Sequence, residues 1–139
     1  MATTFTEYNA PATYQFSFPS IQESDIKVSV DGTVKTSGNH YNITGYTTTG
    51  GGTVVFTSGN VPSSPSLIHI FRDTDVDSAK ATYEAGSSIK AADLNANHKQ
   101  LLFAAQEEQN QLEQTANIRD DAVTTDKIRD ANVTRAKLE

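Results

Sequence analysis

Residues 91–116, AADLNANHKQLLFAAQEEQNQLEQTA, run for 26 positions without a glycine or a proline. Ala, Leu, Gln and Glu dominate the stretch, and side chains of this kind lose little freedom in a helix. The sequence therefore predicts one uninterrupted helix, about 39 Å long. A helix of that length constrains everything around it, because its stability in water comes from burying an apolar face against something else.

Its apolar residues are few. Leu94, His98, Leu101, Ala105 and Leu112 fall at the a and d positions of a heptad, with an interruption at Glu108, while Leu102, Ala105, Gln109, Leu112 and Ala116 give a second register. Two packings satisfy this pattern: a surface helix laid on the domain before it, or a neck bundled with copies of itself. His98 on the seam reads as a residue that sets register rather than one that binds a ligand. Ser87 or Ser88 is the expected start signal, since a serine hydroxyl can accept from an orphan N–H of the first turn.

Upstream, residues 8–72 alternate as strands do. Tyr14, Phe16 and Phe18 alternate with polar residues and stop at Pro19; Ile26, Val28 and Val30 do the same and reach Asp31-Gly32, a dipeptide that favours a two-residue hairpin with Val34 on the return strand. Tyr41 and Ile43 open another strand, Gly50-Gly51-Gly52 breaks it, Thr53–Thr57 resumes, and Leu67, Ile68, Ile70 and Phe71 form the last. Five or six short antiparallel strands are the size of a small sandwich or a partly open barrel. Its expected core is Tyr14, Phe16, Phe18, Ile26, Val28, Val30, Tyr41, Ile43, Val54, Phe56, Ile68 and Ile70. A core so small is marginal, and assembly with other copies would offset that.

Downstream lies an internal repeat of ten residues: IRDDAVTTDK over 118–127, IRDANVTRAK over 128–137, and the first two residues of a third copy. Ile118, Val123, Ile128, Val133 and Leu138 recur every five positions, which fits neither a heptad seam nor strand alternation. Such units fold by stacking along an axis with the same units of other chains, as in a fibre shaft whose distal part lies beyond Glu139. The competing reading is a charged, disordered linker, to which a strict ten-residue register is foreign.

Charge and composition exclude several functions. With 17 acidic and 11 basic residues the net charge is −6, and no Lys/Arg cluster exists to meet phosphates, so nucleic acid is not an expected partner. There is no cysteine, hence no disulfide framework and no thiolate metal site. No run approaches a membrane span and the N-terminus lacks the basic and apolar regions of a signal peptide. Asp73, Asp75, Asp77 and Glu84 have the spacing of a calcium loop, but Ser78 stands where the tight turn needs glycine, and the loop follows a strand. His40, His69 and His98 have no metal-ligand spacing, and no nucleophile elbow, phosphate loop or zinc motif is present. The expectation is a chain without catalytic residues, metal or cofactor.

Three segments, in this order, resemble the N-terminal virion-attachment region of the tail fibre of T7-like short-tailed phages. They are Asp25-Ile26-Lys27-Val28-Ser29-Val30-Asp31-Gly32, the last strand running into Phe71-Arg72-Asp73-Thr74-Asp75, and Gly86-Ser87-Ser88-Ile89-Lys90-Ala91-Ala92-Asp93-Leu94-Asn95, followed by Gln100, Glu107 and Glu108. The likeness covers roughly residues 8–114. The ten-residue repeats depart from the best-known member and are similar to shaft segments in fibres of phages that infect marine cyanobacteria.

The resemblance implies a virion protein made in the host cytoplasm, a homotrimer whose β-rich part docks where the tail adaptor and nozzle proteins meet, with the host receptor bound by a distal part outside this sequence. The resulting organisation is mainly β plus one long helix: an antiparallel attachment domain over 1–72, an acidic connector over 73–90, a trimeric neck over 91–117 and the start of a shaft over 118–139. The expected trimer seam is Leu94, His98, Leu101, Leu102, Ala105 and Leu112, continued along the shaft axis by Ile118, Val123, Ile128, Val133 and Leu138. Arg72, Asp73 and Asp75 are the expected tail-docking residues. Two other readings are a carbohydrate-binding domain with a platform of Tyr41, Tyr46 and Tyr83, and a calcium-dependent adhesin using the Asp73–Glu84 loop.

Overall fold

The fold was obtained as a computed structural model that describes residues 2–116, with side chains through residue 111. Seven strands precede one helix: β1 (Phe5–Asn9), β2 (Tyr14–Phe16), β3 (Ile26–Val30), β4 (Thr33–Val34), β5 (Tyr41–Thr47), β6 (Gly51–Phe56), β7 (Leu67–Arg72) and α1 (Ala91–Ala116). All strand pairs are antiparallel and form two sheets, β1-β7-β3-β4 and β2-β6-β5. A single apolar cluster is shared by both sheets, with Ile26, Val28, Ile68 and Ile70 from one and Tyr14, Phe16, Tyr41, Val54 and Phe56 from the other. The architecture is therefore a two-sheet sandwich and not a barrel.

Alternation produced this core as expected, because inward residues recur every second position along each strand. Val30 and Ile43 are only half-buried, while Phe18 and Ala10, just outside the strands, complete the cluster. The Asp31-Gly32 turn joins β3 to β4 with both residues at positive φ, 50° and 84°, as a two-residue hairpin requires. Gly51 has a different reason to be glycine. Its φ is +77°, and a Cβ there would run into the carbonyl of Phe16 on the paired strand β2.

One strand was not anticipated. β1 pairs along its full length with β7, from Phe5 opposite Phe71 to Asn9 opposite Leu67. Its sequence FTEYN holds too few apolar residues to show an alternation.

The predicted helix is present over Ala91–Ala116. It does not begin at a serine cap: Ser87 N and Oγ both donate to the Glu84 carbonyl and close a turn, and in the first helical turn the N–H groups of Asp93 and Leu94 donate to the Lys90 carbonyl. The chain forms two compact units, Met1–Glu108 and Gln109–Glu139. Of the second, the structure describes helical backbone to Ala116. The shaft positions Ile118, Val123, Ile128, Val133 and Leu138 lie outside the described residues, as does the side chain of Leu112.

Candidate assembly and docking site

Ile68, Ile70 and Arg72 alternate along β7 and all three are buried. The third inward position falls at the end of the strand, where the sandwich core stops, and there the aliphatic stem of an arginine can stay covered while its head reaches another element. Arg72 reaches α1. Its Nε donates to Glu107 Oε1 at 2.9 Å, Nη2 to Gln106 Oε1 at 2.9 Å and to the Phe103 carbonyl at 3.2 Å, and Nη1 to the Pro19 carbonyl at 2.6 Å. The guanidinium lies 3.9 Å from the centre of the Phe103 ring, within cation–π range. Glu107 in turn accepts from the backbone N–H of Thr74 at 3.0 Å and from its hydroxyl. Both charges are buried, and every side-chain nitrogen of Arg72 and both oxygens of Glu107 have hydrogen-bond partners, the condition under which a buried ion pair holds.

The same face of α1 holds the connector. Gln100 Nε2 donates to the carbonyls of Asp75 at 2.6 Å and Ser78 at 2.8 Å, and its Oε1 accepts from Lys80 N. One turn earlier, Asn97 brackets Ala81: Oδ1 accepts from its N–H and Nδ2 donates to its carbonyl, both at 2.9 Å. Asn97, Gln100, Phe103 and Glu107 are spaced by three or four residues and so share one side of the helix. All the connector contacts of Asn97 and Gln100 are to peptide groups.

The opposite side is largely apolar and exposed among the described residues. Leu94 is 40% exposed, Leu101 66% and Leu102 56%, with His98 and Ala105 exposed beside them. These are the described residues of the predicted seam. The predicted docking residues separate into two kinds. Asp73 and Asp75 are exposed, whereas Arg72 is 3% exposed and its side chain is hydrogen-bonded inside the chain, to α1 and to Pro19.

The alternative sites do not assemble. Tyr41 is a core residue at 1% exposure, and Tyr46 is half-buried with its hydroxyl 2.7 Å from Ser20 Oγ, so no platform with the exposed Tyr83 exists. Burial, helped by the carboxylate of Glu23, raises the Tyr41 phenol above its ordinary pKa. In the calcium-like loop, Asp75 Oδ1 accepts from Asp77 N while Gln100 takes the Asp75 and Ser78 carbonyls. Among the described residues no three acidic or histidine side chains come together as a metal site.

The family profile described as phage T7 tail fibre protein, N-terminal domain, matches residues 2–126. The chain belongs to that family. The match is wider than the segments that carried the resemblance, taking in β1 and nine of the ten residues of the first repeat. No curated protein matches the sequence significantly. As a T7-type tail-fibre domain, the chain is a structural component of a phage tail fibre and hence of the virion, and the polar clamp from Arg72 to Asn97 is part of that domain. No helix among the described residues of this tail-fibre domain is long and apolar enough to cross a membrane.

Proposed function

We propose that the chain is the base of a homotrimeric tail fibre that anchors to the phage tail, where the adaptor and nozzle proteins meet, and holds the distal fibre out toward the host surface. The observation that carries this reading is the two-sided helix. One side is committed to the sandwich and connector by hydrogen bonds, which leaves Leu94, Leu101, Leu102 and Ala105 exposed among the described residues. An exposed apolar row of this spacing is what a parallel bundle buries, and the heptad spacing of the sequence carries the row on to Leu112. The shaft repeats, with Ile118, Val123, Ile128, Val133 and Leu138 toward the axis, extend the trimer, and a threefold base offers several copies of each docking surface, so modest contacts add. On the tail side, Asp73 and Asp75 face outward. The repeats support a cyanobacterial host.

Light scattering on the 139-residue chain, across a dilution series, tests the trimer. The expected mass is three chains, falling to one in Leu101→Asp/Leu112→Asp with the sandwich still folded. A wild-type monomer at all concentrations would sink the reading.

A further inference from the structure

Next to the end of β7, a cleft of about 420 Å³ opens between residues 22–27 and 73–77. Four of its lining residues are aspartates, Asp25, Asp73, Asp75 and Asp77, against one cation, Lys27. Asp25 is only 2% exposed. Its Oδ1 accepts from Gln22 Nε2 at 2.9 Å, but Oδ2 is buried without a hydrogen-bond partner among the described residues. A buried carboxylate oxygen left without a donor is costly, and such exceptions mark places where something else completes the structure.

The arrangement selects the kind of donor. No three acidic side chains converge as a metal-binding group among the described residues, so a single small ion would not gather them. A guanidinium is different: it is planar, carries five N–H donors and can bridge carboxylates that do not meet at one point. The frame around the cleft is also fixed, since Asp73 N donates to the Asp25 carbonyl at 2.7 Å and Thr74 is held by Glu107. We infer that this cleft receives a basic side chain, arginine above lysine, presented by the tail protein on which the fibre seats. The inference rests on the docking reading above and names the chemistry of its partner.

The first arm of the test is an amide-shift titration by NMR on the ¹⁵N-labelled full chain with N-acetyl-arginine methylamide, its neutral citrulline counterpart and calcium chloride. The arginine compound should move the amides of residues 24–27 and 73–77, the citrulline compound should not, and Asp25→Asn should weaken binding about tenfold. Asp73→Asn/Asp75→Asn changes only exposed side chains, so it should weaken binding without risk to the fold. No localised shift, equal shifts with citrulline, or calcium saturating the same amides at lower concentration overturns the inference. The second arm measures binding of wild-type and Asp73→Asn/Asp75→Asn chains to fibreless tails. Equal binding by both overturns the inference and leaves the fibre-base reading standing. Failure of the wild type to bind tails removes that reading instead, and the titration still decides what the cleft takes.

Discussion

The sandwich and the helix beside it are held by opposite chemistry. Inside the sandwich, Ile26, Val28, Ile68, Ile70 and the rings of Tyr14, Phe16, Tyr41 and Phe56 exclude water, and edge-on pairs such as Tyr14 with Phe56 at 5.4 Å order the aromatic layer. Between sandwich and helix, the buried groups are Arg72, Thr74, Gln100 and Glu107, with Phe103 the apolar exception. Apolar contact is non-directional and tolerates sliding, whereas a hydrogen-bonded ion pair has one geometry. The difference teaches how the chain keeps an apolar helix face turned outward. If the inner side of α1 were apolar too, either side could be buried; because it is polar and matched group for group, only one rotation of the helix satisfies it.

The largest test of this contrast is Arg72→Ala, which strands Glu107 in a buried site. It should cost about 3–5 kcal/mol by chemical denaturation, and amide exchange along α1 and residues 74–81 should rise well before that of β3 and β7. Ile68→Ala, by contrast, should cost a comparable few kcal/mol through its cavity and open sandwich and helix together. If Arg72→Ala loosens both regions equally, the two are one cooperative core and the comparison fails. Next in size, Asn97→Ala leaves the Ala81 N–H and carbonyl without partners and should cost about 1–2 kcal/mol. Faster exchange should be confined to the connector. The smallest effect belongs to the sandwich alone. The raised Tyr41 phenol keeps its proton at pH values where the unfolded chain has lost it, so its contribution is whole below pH 10.0, the unperturbed value, and is lost as pH climbs through the folded pKa. Tyr41→Phe should flatten the alkaline fall of stability, by about 1 kcal/mol or less at pH 11. The Tyr41 hydroxyl is 3.5 Å from the Ile26 carbonyl, so little else should change.

These two regions were also unequally legible. Period-two alternation located nearly every buried apolar residue of the sandwich, because a strand's inside and outside differ in polarity. It missed β1, whose pairing with β7 is backbone work that FTEYN does not advertise. For the helix, periodicity found the uncovered face and said nothing of the inner one, since Asn97, Gln100 and Glu107 read as solvent-facing on any hydropathy scale. Gln100 and Glu107 stood out only through the family motif. Arg72 was placed at the tail contact for the same reason: a charged residue at a strand end reads as surface until its partner, 35 residues away, is known. The acidic cleft was half visible in Asp73 and Asp75, while Asp25 lay within a matched segment without any local sign that its carboxylate is buried.

Asn97 and Gln100 grip the connector by its peptide groups alone. A strand of chain held in this way keeps its path whatever side chains it carries, proline aside at the donating positions Lys80 and Ala81. Beyond Asp75, whose carboxylate also accepts from Asp77 N, residues 76–81 can therefore change side chains while the trace that displays them stays put. A fibre base built like this can be refitted to a different tail by changing the lettering on a fixed ribbon, with no change to the domain that holds the ribbon in place.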